Sequence, residues 1–272
     1  LHDYNLAQLI FSRAEAIVAK NHFPFLDYRV TEGRAYCAFL QGEFEKADQW
    51  YVKALQSPVL EGKDMAKADL LNRAGANLQN IGVFKRALQY YDQSLEIYTK
   101  RNDEQGKTTI YINMANVFVA MGDAKRADEL YTSAAQIFLK NNLRDNYATV
   151  LGNQAVAKLS LGDPLEAKRL ILRSYQYVSK KPKNIDQPVV LRFNTGLMYA
   201  ENAQWDSSFF YLEEGLQLAD SLGLMEQFAG TYNYNAGWVF EKKGDITRAI
   251  SYYKKALDQR AGIYNYKSIL DY

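Results

Sequence analysis

Residues 108–138, TTIYINMANVFVAMGDAKRADELYTSAAQIF, read as two helices back to back. The first carries Tyr111, Met114, Ala115, Phe118 and Val119 at helical spacing and breaks at Gly122. Asp123 stands where an N-cap is needed, and the second helix carries Ala127, Tyr131, Ala134 and Phe138. Small residues at 115, 127 and 134 let two helices approach closely, while the rings of Tyr131 and Phe138 fill the space beside them. Neither helix can bury its apolar face alone, so the unit requires neighbours like itself.

The chain supplies them. The interhelix glycine recurs at Gly42, Gly82, Gly122 and Gly162, is replaced by Ala203, and returns at Gly244, at intervals of 40, 40, 40, 41 and 41 residues. Seven residues before each lie Ala35, Gly75, Ala115, Ala155, Gly196 and Gly237; five past each lie Ala47, Ala87, Ala127, Ala167, Ser208 and Ala249. Nine past come Tyr51, Tyr91, Tyr131, Ile171, Leu212 and Tyr253, and twelve past come Ala54, Ser94, Ala134, Ser174, Gly215 and Ala256. A framework held over six copies at one period is the signature of a repeat array.

This framework resembles the tetratricopeptide repeat (TPR), whose pattern places a small residue and a glycine on helix A, then Ala, an aromatic and Ala on helix B. The resemblance covers nearly the whole chain and implies an all-α fold, a right-handed α-solenoid (superhelix) of helix–turn–helix repeats. The family repeat is about 34 residues, so these copies are longer and are similar to the long-repeat arrays of kinesin light chain and of bacterial peptide-sensing regulators. The first-turn Trp of the family is replaced here by Leu71, Tyr111 and Leu151, and the copy around Ala203 departs most.

One array over 1–272 is expected: a half repeat at 1–20, repeats at about 28–57, 66–100, 107–140, 147–180, 188–220 and 227–261, and the start of a further or capping helix at 262–272. The half repeat places Ala7, Phe11 and Ala14 at the helix-B offsets, and Asp163-Pro164 combines cap and first-turn signals. The connections, near 20–28, 57–65, 101–107, 140–146, 180–188 and 221–226, are rich in turn residues. A start at Leu1 and the apolar stretch Gly262–Tyr272 suggest a piece of a larger protein, cytoplasmic or periplasmic.

Composition narrows the function. With 33 basic and 31 acidic side chains the net charge is +2, which gives no electrostatic argument for nucleic acid. Lys180, Lys181 and Lys183 around Pro182 read as a solvated loop. No apolar run approaches a membrane span, so no membrane insertion is expected. A single cysteine, Cys37, on an apolar helix face, and two histidines, His2 and His22, leave no zinc site and no base within the repeats. Gly106-Lys107-Thr108 imitates the end of a phosphate-binding loop, but Arg101 stands where glycine is needed and a helix, not a strand, precedes it. It reads as a turn. No catalytic residue, metal or cofactor is expected.

The binding signal lies on helix A. Nine residues before the interhelix position stand Asn113, Asn153, Asn194 and Asn235, at intervals of 40, 41 and 41. The resemblance implies that this face lines the concave groove. A primary amide presents both a donor and an acceptor group, enough to pair with one peptide unit of an extended chain. By the same alignment its neighbours are Tyr36, Phe39, Asn72, Arg73, Asn116, Phe193, Tyr234 and Trp238. The cations of a chaperone-tail clamp are missing, since Ile112, Val190 and Asn194 hold their places. The expected partner is therefore a peptide or protein segment held in the groove, in the sensor or scaffold region of a bacterial signalling protein. The alternative is a structural assembly module that self-associates end to end, as a homo-oligomer through the array ends, or through its convex face.

Overall fold

The computed structural model describes residues 4–21, 23–177 and 185–258. The Lys180–Lys183 loop, His2, His22 and the 262–272 segment lie outside them. Among the described residues there are thirteen α-helices, one 3-10 turn at Pro58–Leu60 and no strand.

Helix α1 (Tyr4–Asn21) comes first, and six helix pairs follow: α2 (Pro24–Leu40) with α3 (Phe44–Leu55), α4 (Asp64–Asn80) with α5 (Phe84–Lys100), and α6 (Glu104–Ala120) with α7 (Ala124–Lys140). Then come α8 (Arg144–Ser160) with α9 (Pro164–Tyr177), α10 (Gln187–Glu201) with α11 (Trp205–Ser221), and α12 (Met225–Lys242) with α13 (Ile246–Asp258). The pairs form two compact units, the first running through Ile110 and the second from Tyr111, with the division inside α6.

Each interhelix turn closes in one way. Gly122 N–H donates to Val119 O at 3.0 Å and Asp123 N–H to Phe118 O at 2.8 Å, the paired bonds that end a helix through a left-handed residue. Gly122 has φ 76°. Asp123 then caps α7 by accepting from Arg126 N–H at 3.1 Å, and its other oxygen takes the Arg126 guanidinium. Asp245 repeats the device with Arg248. The turns between repeats use the same left-handed backbone at Gly62, Asn102, Asn142 and Gly223.

The A helices begin earlier than expected. α6 starts at Glu104 rather than near 107, α8 at Arg144 rather than near 147, and α2 at Pro24 rather than near 28. Acidic residues such as Asp64, Glu104 and Asp145 resemble turn composition, but in a first helical turn they face the positive end of the helix dipole. Gly106, Lys107 and Thr108 are accordingly helical, not a turn: Asp103 caps α6 by accepting from Gly106 N–H at 2.9 Å. The Tyr98 ring occupies the place a Cβ on Gly106 would take.

In five of the six pairs the helix-B residue nine past the turn lies in the core, while Tyr253 of the last pair is half-buried. Tyr51, Tyr91, Tyr131, Ile171 and Leu212 are buried against the small residues of helix A. In the first unit Tyr28, Tyr51, Leu60 and Leu70 join one apolar cluster. In the second, Phe193, Leu212, Phe228 and Tyr232 join another.

Candidate functional site

The amide row falls on successive A helices of the second unit, where α8 packs on α10 and α10 on α12. Asn113, Asn153 and Asn194 are half-buried; Asn235 is 7% exposed. Among the described residues the side chains of Asn153, Asn194 and Asn235 have no hydrogen-bond partner. The neighbouring Asn233 differs: its amide is satisfied by Ala229 O at 3.0 Å. Asn194 sits beside Gly152, its amide nitrogen 3.5 Å from where a Cβ there would stand, so the missing side chain leaves the amide room.

The other predicted residues divide. Asn116 lies on α6 and accepts from the Tyr131 hydroxyl at 2.5 Å, which uses its acceptor inside the repeat. Trp238 is half-buried on α12, with the Lys242 ammonium 5.1 Å from its ring centroid. Tyr234 tilts against Tyr253 of α13 at 5.7 Å, and burial pushes its hydroxyl up to about 12. Asn72, half-buried, and Arg73, exposed, belong to the first unit. Arg73 is ion-paired to Glu32 at 3.1 Å and lies over exposed Tyr36, while Phe39 meets Phe44 edge to face.

Phe193 is a correction. Sequence alignment set it among the groove residues, but it is 2% exposed and meets Phe228 edge to face at 6.0 Å. It stands one residue before Asn194, about 100° round the helix, which turns it toward α11 and α12. Gly215, where the five other copies carry Ala or Ser, leaves the space its ring fills: a Cβ there would meet the ring at 2.7 Å.

The sequence reading missed two residues. Three past Asn153, Asn194 and Asn235 stand Val156, Leu197 and Trp238, all half-buried, of which only Trp238 was singled out; the same offset from Asn113 is the polar Asn116. The same 41-residue spacing marks them; their varied chemistry hid them. Beyond this row Lys242 pairs with Glu201 at 3.3 Å, joining α12 to α10. On the other side of α8, Gln154 and Lys158 both donate to Asp128 of α7, at 2.8 and 2.7 Å. Among the described residues no three His, Cys, Asp or Glu side chains gather where a metal could bind, and no helix is long and apolar enough to cross a membrane.

Helix pairs repeated at this period, closed by left-handed turns and packed A helix on A helix, define a TPR-type α-solenoid. A tetratricopeptide-repeat profile matches residues 230–261, and the profile of the soluble NSF attachment protein, SNAP, matches residues 33–188. The chain therefore belongs to the soluble NSF attachment protein family. No curated protein matches it. Solved structures do. The apo form of RapI aligns over 100% of this chain and 94% of its own at TM-score 0.79 and 14% identity. NprR in complex with its cognate peptide NprX aligns over 95% and 74% at TM-score 0.70 and 14% identity. Aspartyl phosphate phosphatase F from Bacillus subtilis aligns over 92% and 76% at TM-score 0.68 and 14% identity. At these identities the likeness is one of fold.

Proposed function

We propose that the protein is a non-catalytic binding module that holds an extended peptide or protein segment on the A-helix face of its second unit. One observation carries this reading: Asn153, Asn194 and Asn235 recur on one face with amides that no side chain or backbone group of the described residues satisfies. None of these amides has an atom both sealed from solvent and unpaired, so they stand open to a ligand, and a peptide backbone offers the complementary donor and acceptor. Two likenesses support it. The family is named for an attachment protein, and NprR, of similar fold, is described with its cognate peptide. Each rung contributes about 0.5–1.5 kcal/mol net, and ordering a free peptide offsets much of the sum, so micromolar affinity is expected. The larger setting, sensor or scaffold of a bacterial regulatory protein, rests on the same likenesses.

The test is binding of a random peptide library to the protein and to its Asn153→Ala, Asn194→Ala double variant. Weakening of selected peptides by tenfold or more in the variant supports the reading. Equal binding to both proteins reduces the amides to scaffold.

One observation favours a second reading, self-association through an array end. Ile246, Ile250 and Leu257 lie exposed along one face of α13. The equivalent positions of α11 hold Trp205, Phe209 and Leu216, half-buried, with Phe209 against Phe240 of α12 at 4.7 Å. A sedimentation-equilibrium dimer that Ile250→Asp dissociates would favour this reading, and a monomer at all concentrations would remove it.

A further inference from the structure

Beside the last three amides of the second unit runs an apolar row. Val156, Leu197 and Trp238 follow Asn153, Asn194 and Asn235 by three residues on α8, α10 and α12, and residues three apart share a helix face. Every A helix of this stretch thus sets one half-buried apolar side chain next to one unpartnered amide. Neither row holds a charged residue. A turn further along, Glu201 and Lys242 neutralise each other at 3.3 Å. A charged ligand side chain placed on the rows would lose water without gaining a counter-charge, whereas an apolar one removes apolar surface from water.

The spacing of the rungs limits the ligand's backbone. Packed helix axes lie about 8–10 Å apart, and each A helix supplies one rung. A polyproline II chain completes a turn in three residues at about 3.1 Å each, so one face returns about every 9 Å, in step with the helices. One face of a β-strand returns after two residues, about every 6.8 Å, and falls out of step. A polyproline II chain also makes no internal hydrogen bonds, which leaves its carbonyls and N–H groups for the amides.

We infer that the second unit selects an uncharged segment in polyproline II conformation that carries an apolar side chain at every third residue, one for each of Val156, Leu197 and Trp238. The inference rests on the peptide-binding reading and adds the ligand's conformation and period to it.

Three synthetic series test it: peptides with Leu at every third residue, the same composition with Leu at every second residue, and the first series with Asp or Lys in place of Leu. Binding is read by titration calorimetry and by indole emission. The three-residue series should bind at least tenfold more tightly than either other series. Leu197→Ser should abolish that preference, and the nearly isosteric Val156→Thr, the gentler change to the fold, should reduce it; circular dichroism melts establish that each variant is folded. If the two-residue or charged series binds as well as the first, the inference is overturned and the peptide-binding reading stands. If no series binds, or the asparagine double variant binds all of them unchanged, the peptide-binding reading fails and the inference with it.

Discussion

Ala203 takes φ 53° at the one interhelix turn without glycine, while the other five turns hold glycine at φ 71° to 84°. In that left-handed region a Cβ crowds the following carbonyl at a cost of about 1–2 kcal/mol. Glycine removes the clash but loses more freedom on folding, about 0.5–1 kcal/mol. Ala203→Gly is therefore expected to stabilise the protein by about 0.5–1 kcal/mol, the difference between those two effects. A raised urea midpoint with unchanged slope would show it; a lowered midpoint would mean that this turn is held by something other than its own backbone. Asn235 makes a related point about single residues. Its place in the period is plain in the sequence, but its burial to 7% depends on how α12 sits in the core, which no spacing reveals.

Between the two helices of a pair, the residue seven before the turn decides where the helix-B tyrosine goes. At Gly75 a Cβ would meet the Tyr91 ring at 2.7 Å, and the ring crosses that gap to donate its hydroxyl to Gln79 at 3.0 Å. Gly237 lets Tyr253 reach Glu241 in the same way. Where the residue is Ala115, the Tyr131 hydroxyl bonds Asn116 instead. Gly75→Ala should therefore displace Tyr91 from Gln79 and cost about 1–3 kcal/mol as overpacking. Adding Tyr91→Ile, the pairing that Ala155 and Ile171 already use, should recover part of the loss in chemical denaturation. No recovery would show that the cost lies in the backbone of α4. The helix pairs themselves were legible because small residues, turn glycines and rings repeat at one period. Helix starts were not, since acids at a first turn and acids in a loop look alike in sequence. Nor was the burial of Phe193, which depends on a glycine 22 residues away, at 215.

Across the whole chain, stability in an array of this kind is close to a sum over repeats and their neighbour contacts, so a property shared by many repeats is amplified. Buried tyrosine is such a property. Burial raises the hydroxyls of Tyr51 and Tyr98 in the first unit and of Tyr232 and Tyr253 in the second above the ordinary range, and Tyr98, Tyr232 and Tyr253 also donate to Asp69, Glu213 and Glu241. Tyr234, held from water by burial and then opposed by the Glu241 charge, is raised to about 12. In the unfolded chain these hydroxyls ionise near pH ~10. Between that value and about 12 the unfolded state has released protons that the folded state keeps, so stability falls as pH rises. It is fully present below the unfolded value and lost through the folded one. Melting temperature should therefore hold level up to about pH 9 and decline steeply above about pH 10. Tyr234→Phe, which removes one such proton, should shallow the decline without changing the neutral-pH plateau by much. A melting curve as steep in the variant as in the parent would place the alkaline sensitivity elsewhere than in this ring.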